Sequence, residues 1–199
     1  MENILQFIKA KYEKHRLLNQ SFVVGINGID CSGKTTFAKS VSKYFTHHKI
    51  NNYHLDIDNF NNQTIESETY KAFASDSWDE EDLDKYYELI INYSEIIKAV
   101  SESKNKYPIV ILEGIFIYKP QLMDLFDLKI YLNIDVFLGR KRFANRRSFK
   151  RDKRPFDIYD KIWMLSQTRY DSEVNPKQIS DLVINHNNKG QVSFCNEKS

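Results

Sequence analysis

"GINGIDCSGKTTFAKS", residues 25–40, decides how the rest of the chain is read. The β-branched run "SFVVGIN" (21–27) precedes it, and in "KTTFAKSVSKYFTHH" (34–48) the pairs Thr36/Phe37, Ser40/Val41 and Tyr44/Phe45 recur at helical spacing. Gly28-x4-Gly33-Lys34-Thr35 therefore fits a phosphate-binding loop in the setting that loop requires, a strand before it and a helix after it. Its glycines let the backbone bend so that several N–H groups converge on an anion, and the following helix adds its positive end. The expected nucleotide-binding residues are Gly28, Ile29, Asp30, Cys31, Ser32, Gly33, Lys34, Thr35 and Thr36. Lys34 would reach the β- and γ-phosphates, and the Thr35 hydroxyl would hold Mg²⁺. Cys31 reads as a small filler of the loop rather than a reactive thiol.

Working outward, 199 residues suit a single domain, 1–199, with a movable lid at about 140–155 and a loose polar tail at about 189–199. Charges interrupt the N-terminal stretch, no apolar run is long enough to cross a bilayer, and two unpatterned cysteines argue against a disulfide or zinc framework. The expected setting is the cytoplasm, with no membrane partner; a homo-oligomer stays open. Strands are expected at "SFVVGIN", "NYHLDID" (52–58), "YPIVILEG" (107–114), "LKIYLNI" (128–134) and "DLVIN" (181–185). Helices are expected at 3–18, 34–48, from Asp79 to about Ser103, at the short Pro-initiated "KPQLMDLF", and on both sides of the basic segment. Residues 59–77 read as a polar loop, and "QVSFC" (191–195) is a candidate edge strand. This alternation predicts an α/β, three-layer P-loop NTPase fold: a parallel, five-stranded sheet with helices on both faces and an arginine-rich lid.

Three parts of the chain converge on one end of that sheet: the glycine turn, Asp56/Asp58, and Glu113 at the end of "IVILEG". Four apolar residues followed by an acid resemble a Walker B strand, whose carboxylate holds Mg²⁺. A GTPase would carry Asn-Lys-x-Asp, and "NKGQ" (188–191) ends in glutamine instead. Residues 140–154, "RKRFANRRSFKRDKR", hold nine basic residues against one acid, leaving 20 basic and 26 acidic side chains elsewhere, a net of about −6. Such a segment can be a solvated face, a nucleic-acid patch or a lid over a triphosphate. Only Phe143 and Phe149 interleave it, which disfavours base stacking. As a lid, Arg142, Arg146 and Arg151 would present charge to a transferring phosphoryl group.

In order, "GIDCSGKTT", "HLDIDNF", "WDEEDLD", "VILEGIF", "DLKIYLNID", the arginine-rich segment and "PKQISDLVI" resemble the uridine kinase and phosphoribulokinase-like family over residues 21–184. The resemblance implies MgATP as cosubstrate and a small-molecule alcohol as acceptor, a nucleoside first, with no nucleic acid as partner. It implies Asp58 as general base, with Asp56 as the fallback, and Lys34, Arg146 and Arg151 as the other catalytic residues. Trp78 and Asp79 match the segment that grips ribose, Phe60 would line the same pocket, and Thr35, Glu113 and Asp58 would surround Mg²⁺. The loop "NHNNK" (185–189) is the candidate adenine contact.

The chain departs from the family in three places. No Tyr-Asp-Phe run with a downstream histidine separates "AVSESKNKYP" from "IVILEG", so the base-reading part is missing. Glu80-Glu81 replaces a His-Pro pair, and "RDKR" stands where the lid has a glycine between arginines. The expected activity is γ-phosphoryl transfer to a nucleoside. The alternatives are another small alcohol or a ribosylated vitamin (of the nicotinamide riboside or pantothenate type), or a non-catalytic nucleotide-binding module.

Overall fold

The computed structural model describes residues 1–75, 77–150, 155–186 and 192–195, with 147–150 and 192–195 given by their backbone alone. Helix α1 (Glu2–His15) and a short 3-10 turn lead into β1 (Phe22–Gly28), the phosphate loop and α2 (Lys34–His47). Strand β2 (Asn52–Asp56), a 3-10 turn (Ile57–Phe60) and helices α3 (Gln63–Ala74), α4 (Glu80–Leu89) and α5 (Tyr93–Lys104) follow. Then come β3 (Ile109–Gly114), α6 (Pro120–Met123), β4 (Leu128–Ile134) and α7 (Val136–Lys150). A π-turn (Tyr159–Trp163) runs into α8 (Met164–Val174), and α9 (Pro176–Ile179), β5 (Leu182–His186) and β6 (Val192–Cys195) complete the described chain.

The sheet order is β2-β3-β1-β4-β5-β6. The first five strands are parallel, as expected, and β6 adds an antiparallel edge through pairs such as Val183↔Cys195. That edge uses part of the stretch read as a loose tail. Strands β1 and β3 are buried along their whole length, as central strands covered on both faces must be. Their side chains alternate between two cores. Phe22, Val24, Ile26, Ile109 and Ile111 pack with Ile4, Ile8, Val41 and Phe45 of α1 and α2. Val23, Val110 and Leu112 pack with Tyr86, Tyr87, Ile96, Val100, Phe143 and Trp163 on the other face.

Two expectations are corrected. The polar stretch 59–77 contains α3, capped by the Asn62 side chain, which accepts from the N–H groups of Thr64 and Ile65, with Ile65 and Thr69 buried. The helix expected from Asp79 to about Ser103 is two helices. Asn92 starts the second by accepting from the Glu95 N–H, and Asn61 bridges Ile91 across the break. In the second helix Ile96 and Val100 are buried while Ile97 is 41% exposed.

Candidate active site

The loop Gly28–Thr35 is held by its neighbours before any ligand arrives. The Gly28 N–H donates to Asn27 Oδ1 at 2.6 Å, and buried Asn27 donates its amide to Tyr170 Oη. A Cβ on Gly28 would lie 2.6 Å from the Leu132 carbonyl and 2.8 Å from Ser32 Oγ, so the close approach of loop to strand requires glycine. Gly33 has φ +99° as the N-cap of α2, a backbone that L side chains rarely adopt. Lys34 Nζ folds back onto the Ile29 carbonyl at 3.0 Å. Arg142, reaching across from α7, donates Nη1 to the carbonyls of Cys31 and Ser32, each at 3.2 Å. Three of the loop's own carbonyls, those of Ile29, Cys31 and Ser32, are thereby occupied. Buried Ser32 Oγ has no hydrogen-bond partner among the described residues, and Ser32 borders the cavity.

That cavity, about 780 Å³, opens beyond the carboxyl ends of the strands. Residues 30–36 of the loop, Asp56, Asp58, Glu113, Arg142, Arg146 and His186 all line it. Its lining holds four cations, Lys34, Lys39 and the two arginines, and four carboxylates, those of Asp30, Asp56, Asp58 and Glu113. The register explains part of the crowding, since Asp56 of β2 pairs directly with Glu113 of β3. The Asp58 N–H donates to Asp56 Oδ1 at 3.0 Å, turning the chain so that Asp58 also faces the cavity.

The crowding has an electrostatic consequence. Asp58 is reachable by water but walled by protein on most sides. Burial, then the charges of Asp56 and Asp30, push its carboxyl up to about 6 against the pull of Lys34. Asp56 is raised too, by burial first and then by Glu113. Glu113 is almost wholly buried; its Oε1 lies 3.6 Å from His54 Nε2, and neither atom has a hydrogen-bond partner among the described residues. Burial, then the charge of Arg142, lowers the His186 imidazole.

Oxygen donors crowded in this way suit a hard divalent cation. Mg²⁺ takes one or two carboxylates and completes its shell with phosphate and water. Among the described residues no trio of His, Cys, Asp and Glu encloses a metal alone, which is the arrangement expected where a nucleotide brings part of the shell. Thr35, Asp58 and Glu113 are the donors that could share it.

The remaining predicted residues are placed elsewhere. Phe60, Trp78 and Asp79 do not line this cavity. Trp78 packs edge-on to Phe73, with ring centroids 6.2 Å apart, and Asp79 caps α4 by accepting from the Asp82 N–H. Arg151 and most of the "NHNNK" loop lie outside the described residues; of that loop, His186 borders the cavity. One participant escaped the sequence reading: His54 sits near Glu113 and is visible only once β2 and β3 are paired. Asp30, expected as part of the nucleotide loop, adds a fourth carboxylate to the cavity lining.

The Phosphoribulokinase / Uridine kinase family model matches residues 23–193. A uridine kinase of Bacillus cereus is 24% identical over 192 residues, covering 88% of this chain and 91% of that protein. Among solved structures, one described as a possible uridine kinase from Bacillus stearothermophilus aligns with a TM-score of 0.57 at 15% identity, over 88% of this chain and 98% of that one. A D-glycerate 3-kinase from Cryptococcus neoformans aligns with a TM-score of 0.66 at 10% identity, over 98% of both chains. With its phosphate loop, sheet order and acid-tipped central strand, this chain belongs to the phosphoribulokinase/uridine kinase family.

Proposed function

We propose that the protein is an ATP-dependent kinase that transfers the γ-phosphoryl group to a hydroxyl of a small molecule, a nucleoside being the first candidate, within a single domain over 1–199. The observation that carries this reading is the single cavity in which the phosphate loop faces Asp58, a carboxylate raised to about 6. A general base works best with a pKa near the operating pH, and burial among like charges supplies that shift. In the proposed reaction Asp58 accepts the proton of the attacking hydroxyl as that oxygen displaces ADP from the γ-phosphorus. Lys34 leaves the Ile29 carbonyl to meet the β- and γ-oxygens, and Arg146 and Arg151 offset the charge of the moving group. Thr35 and Glu113, with Asp58, would hold Mg²⁺, which when bound neutralises phosphate charge and orients the triphosphate.

The position of Trp78 and Asp79 outside the cavity favours a second reading for the acceptor: an alcohol that is not a nucleoside. A panel of nucleosides, ribosylated vitamins and small alcohols incubated with MgATP, scored by mass for an added phosphoryl group, separates the two. Lys34→Ala should abolish transfer and nucleotide binding together. Asp58→Ala should abolish transfer and leave MgATP bound. A protein that binds ATP through Lys34 and phosphorylates nothing in the panel would be a nucleotide-binding module instead.

A further inference from the structure

A carboxylate inside a phosphate loop is an electrostatic oddity, because a side chain turned toward a triphosphate would repel it. In this chain Asp30 borders the cavity while its carbonyl backs against the lid helix. A Cβ on Gly139 of α7 would lie 3.3 Å from the Asp30 carbonyl and 2.1 Å from Tyr159 Oη, so loop, lid base and Tyr159 meet at this point. Of the groups that feel the Asp30 charge, Asp58 lines the same cavity, and its carboxyl is raised partly by that charge. Asp30 and Asp58 thus bring two hydrogen-bond acceptors to the lining of one cavity.

We propose that Asp30 holds the acceptor, accepting a hydrogen bond from a second hydroxyl of the same molecule whose first hydroxyl is delivered to Asp58. The inference rests on the kinase reading and narrows its substrate class. The acceptor is a neutral or cationic molecule with two neighbouring hydroxyls. An anionic group beside the reacting hydroxyl would face Asp30 and Asp58 together. Asp30 takes the part that Asp79, occupied as a helix cap, does not play here.

The test uses Asp30→Asn in the full chain, uridine with its 2′- and 3′-deoxy analogues, and D-glycerate as an anionic control. A hydrogen bond to a charged group contributes about 1.5–3 kcal/mol, so the substitution should raise the KM for a diol acceptor about 10- to 150-fold and change kcat far less. An acceptor lacking the second hydroxyl should respond within about two-fold, and D-glycerate should not be phosphorylated. ADP affinity, measured by calorimetry, should stay within about two-fold, because the loop holds phosphate through backbone N–H groups. A several-fold tighter ADP complex in Asp30→Asn would mean that the carboxylate faces the phosphates, and would overturn the assignment. Equal responses of uridine and both deoxy analogues would overturn it as well. If the wild-type chain phosphorylates no acceptor, the kinase reading falls, and the ADP measurement alone decides which way Asp30 points.

Discussion

Asp58, the proposed base, shows how a carboxylate crowded by like charges sets stability against chemistry. Its carboxyl is raised from 3.8 to about 6, by burial first and then by Asp56 and Asp30, so the folded protein holds its proton more tightly than the unfolded chain does. A raised acid favours the fold fully at pH below about 4, and this advantage is lost as pH rises through about 6. Asp58→Asn removes the like-charge repulsion at neutral pH and should therefore raise Tm at pH 7.5 relative to wild type, with little difference at pH 4. Thermal unfolding of both proteins at the two pH values checks this; an equal shift at both would mean that repulsion is not the cause. The same group predicts that kcat/KM for the acceptor climbs through pH 6, since only the ionised carboxylate takes a proton. A profile flat from pH 5 to 8 would remove Asp58 as the base.

At the scale of elements, local signals decided what could be read in the sequence. Strands β1 and β3 announced themselves as continuous apolar runs, and the phosphate loop as glycines at fixed spacing between a strand and a helix. Helix α3 was hidden because its buried face carries only Ile65 and Thr69, too sparse an apolar stripe to separate from a polar loop. Its start was nonetheless written in Asn62, and the division between α4 and α5 in Asn92 followed by Glu95, a capping pattern masked by apolar residues on either side of it. Removing a cap of this kind costs about 1 kcal/mol, so Asn62→Ala should lower stability by that amount in urea titration with an unchanged m-value. The cost should fall on α3 first, as faster amide exchange from Thr64 to Glu66. Trp78 and Asp79 illustrate the opposite difficulty. "SWDEEDL" is equally good as a sugar-gripping segment and as a helix start, and the Asp79–Asp82 N–H contact at 3.0 Å is the second of these. His54 had no local signal at all, because its partner Glu113 comes 59 residues later, through the β2–β3 register.

Across the whole molecule, cations and carboxylates from distant parts of the chain meet at one cavity. Arg142 and Arg146 of α7 line it together with the acidic strand ends. Asp56, Asp58 and Glu113 share that lining with Lys34 and Thr35, where the proposed reaction would bring a terminal phosphate. A nucleotide without a divalent cation would meet three carboxylates with a phosphate of the same sign, and the Coulomb cost is large in a walled cavity. Nucleotide should therefore stabilise the fold only together with Mg²⁺. A ligand at 100 times its Kd adds about 2.7 kcal/mol, which in a domain of this size is a Tm rise of about 5–11 °C. Thermal unfolding should show that rise with MgATP, little of it with ATP in excess EDTA, and none of it in Lys34→Ala under either condition. The triple variant Asp56→Asn, Asp58→Asn, Glu113→Gln should reverse the pattern, binding ATP in EDTA better than wild type does, because the repulsion has been removed with the cation ligands. An equal Tm rise in wild type with and without Mg²⁺ would mean that these carboxylates do not face the nucleotide.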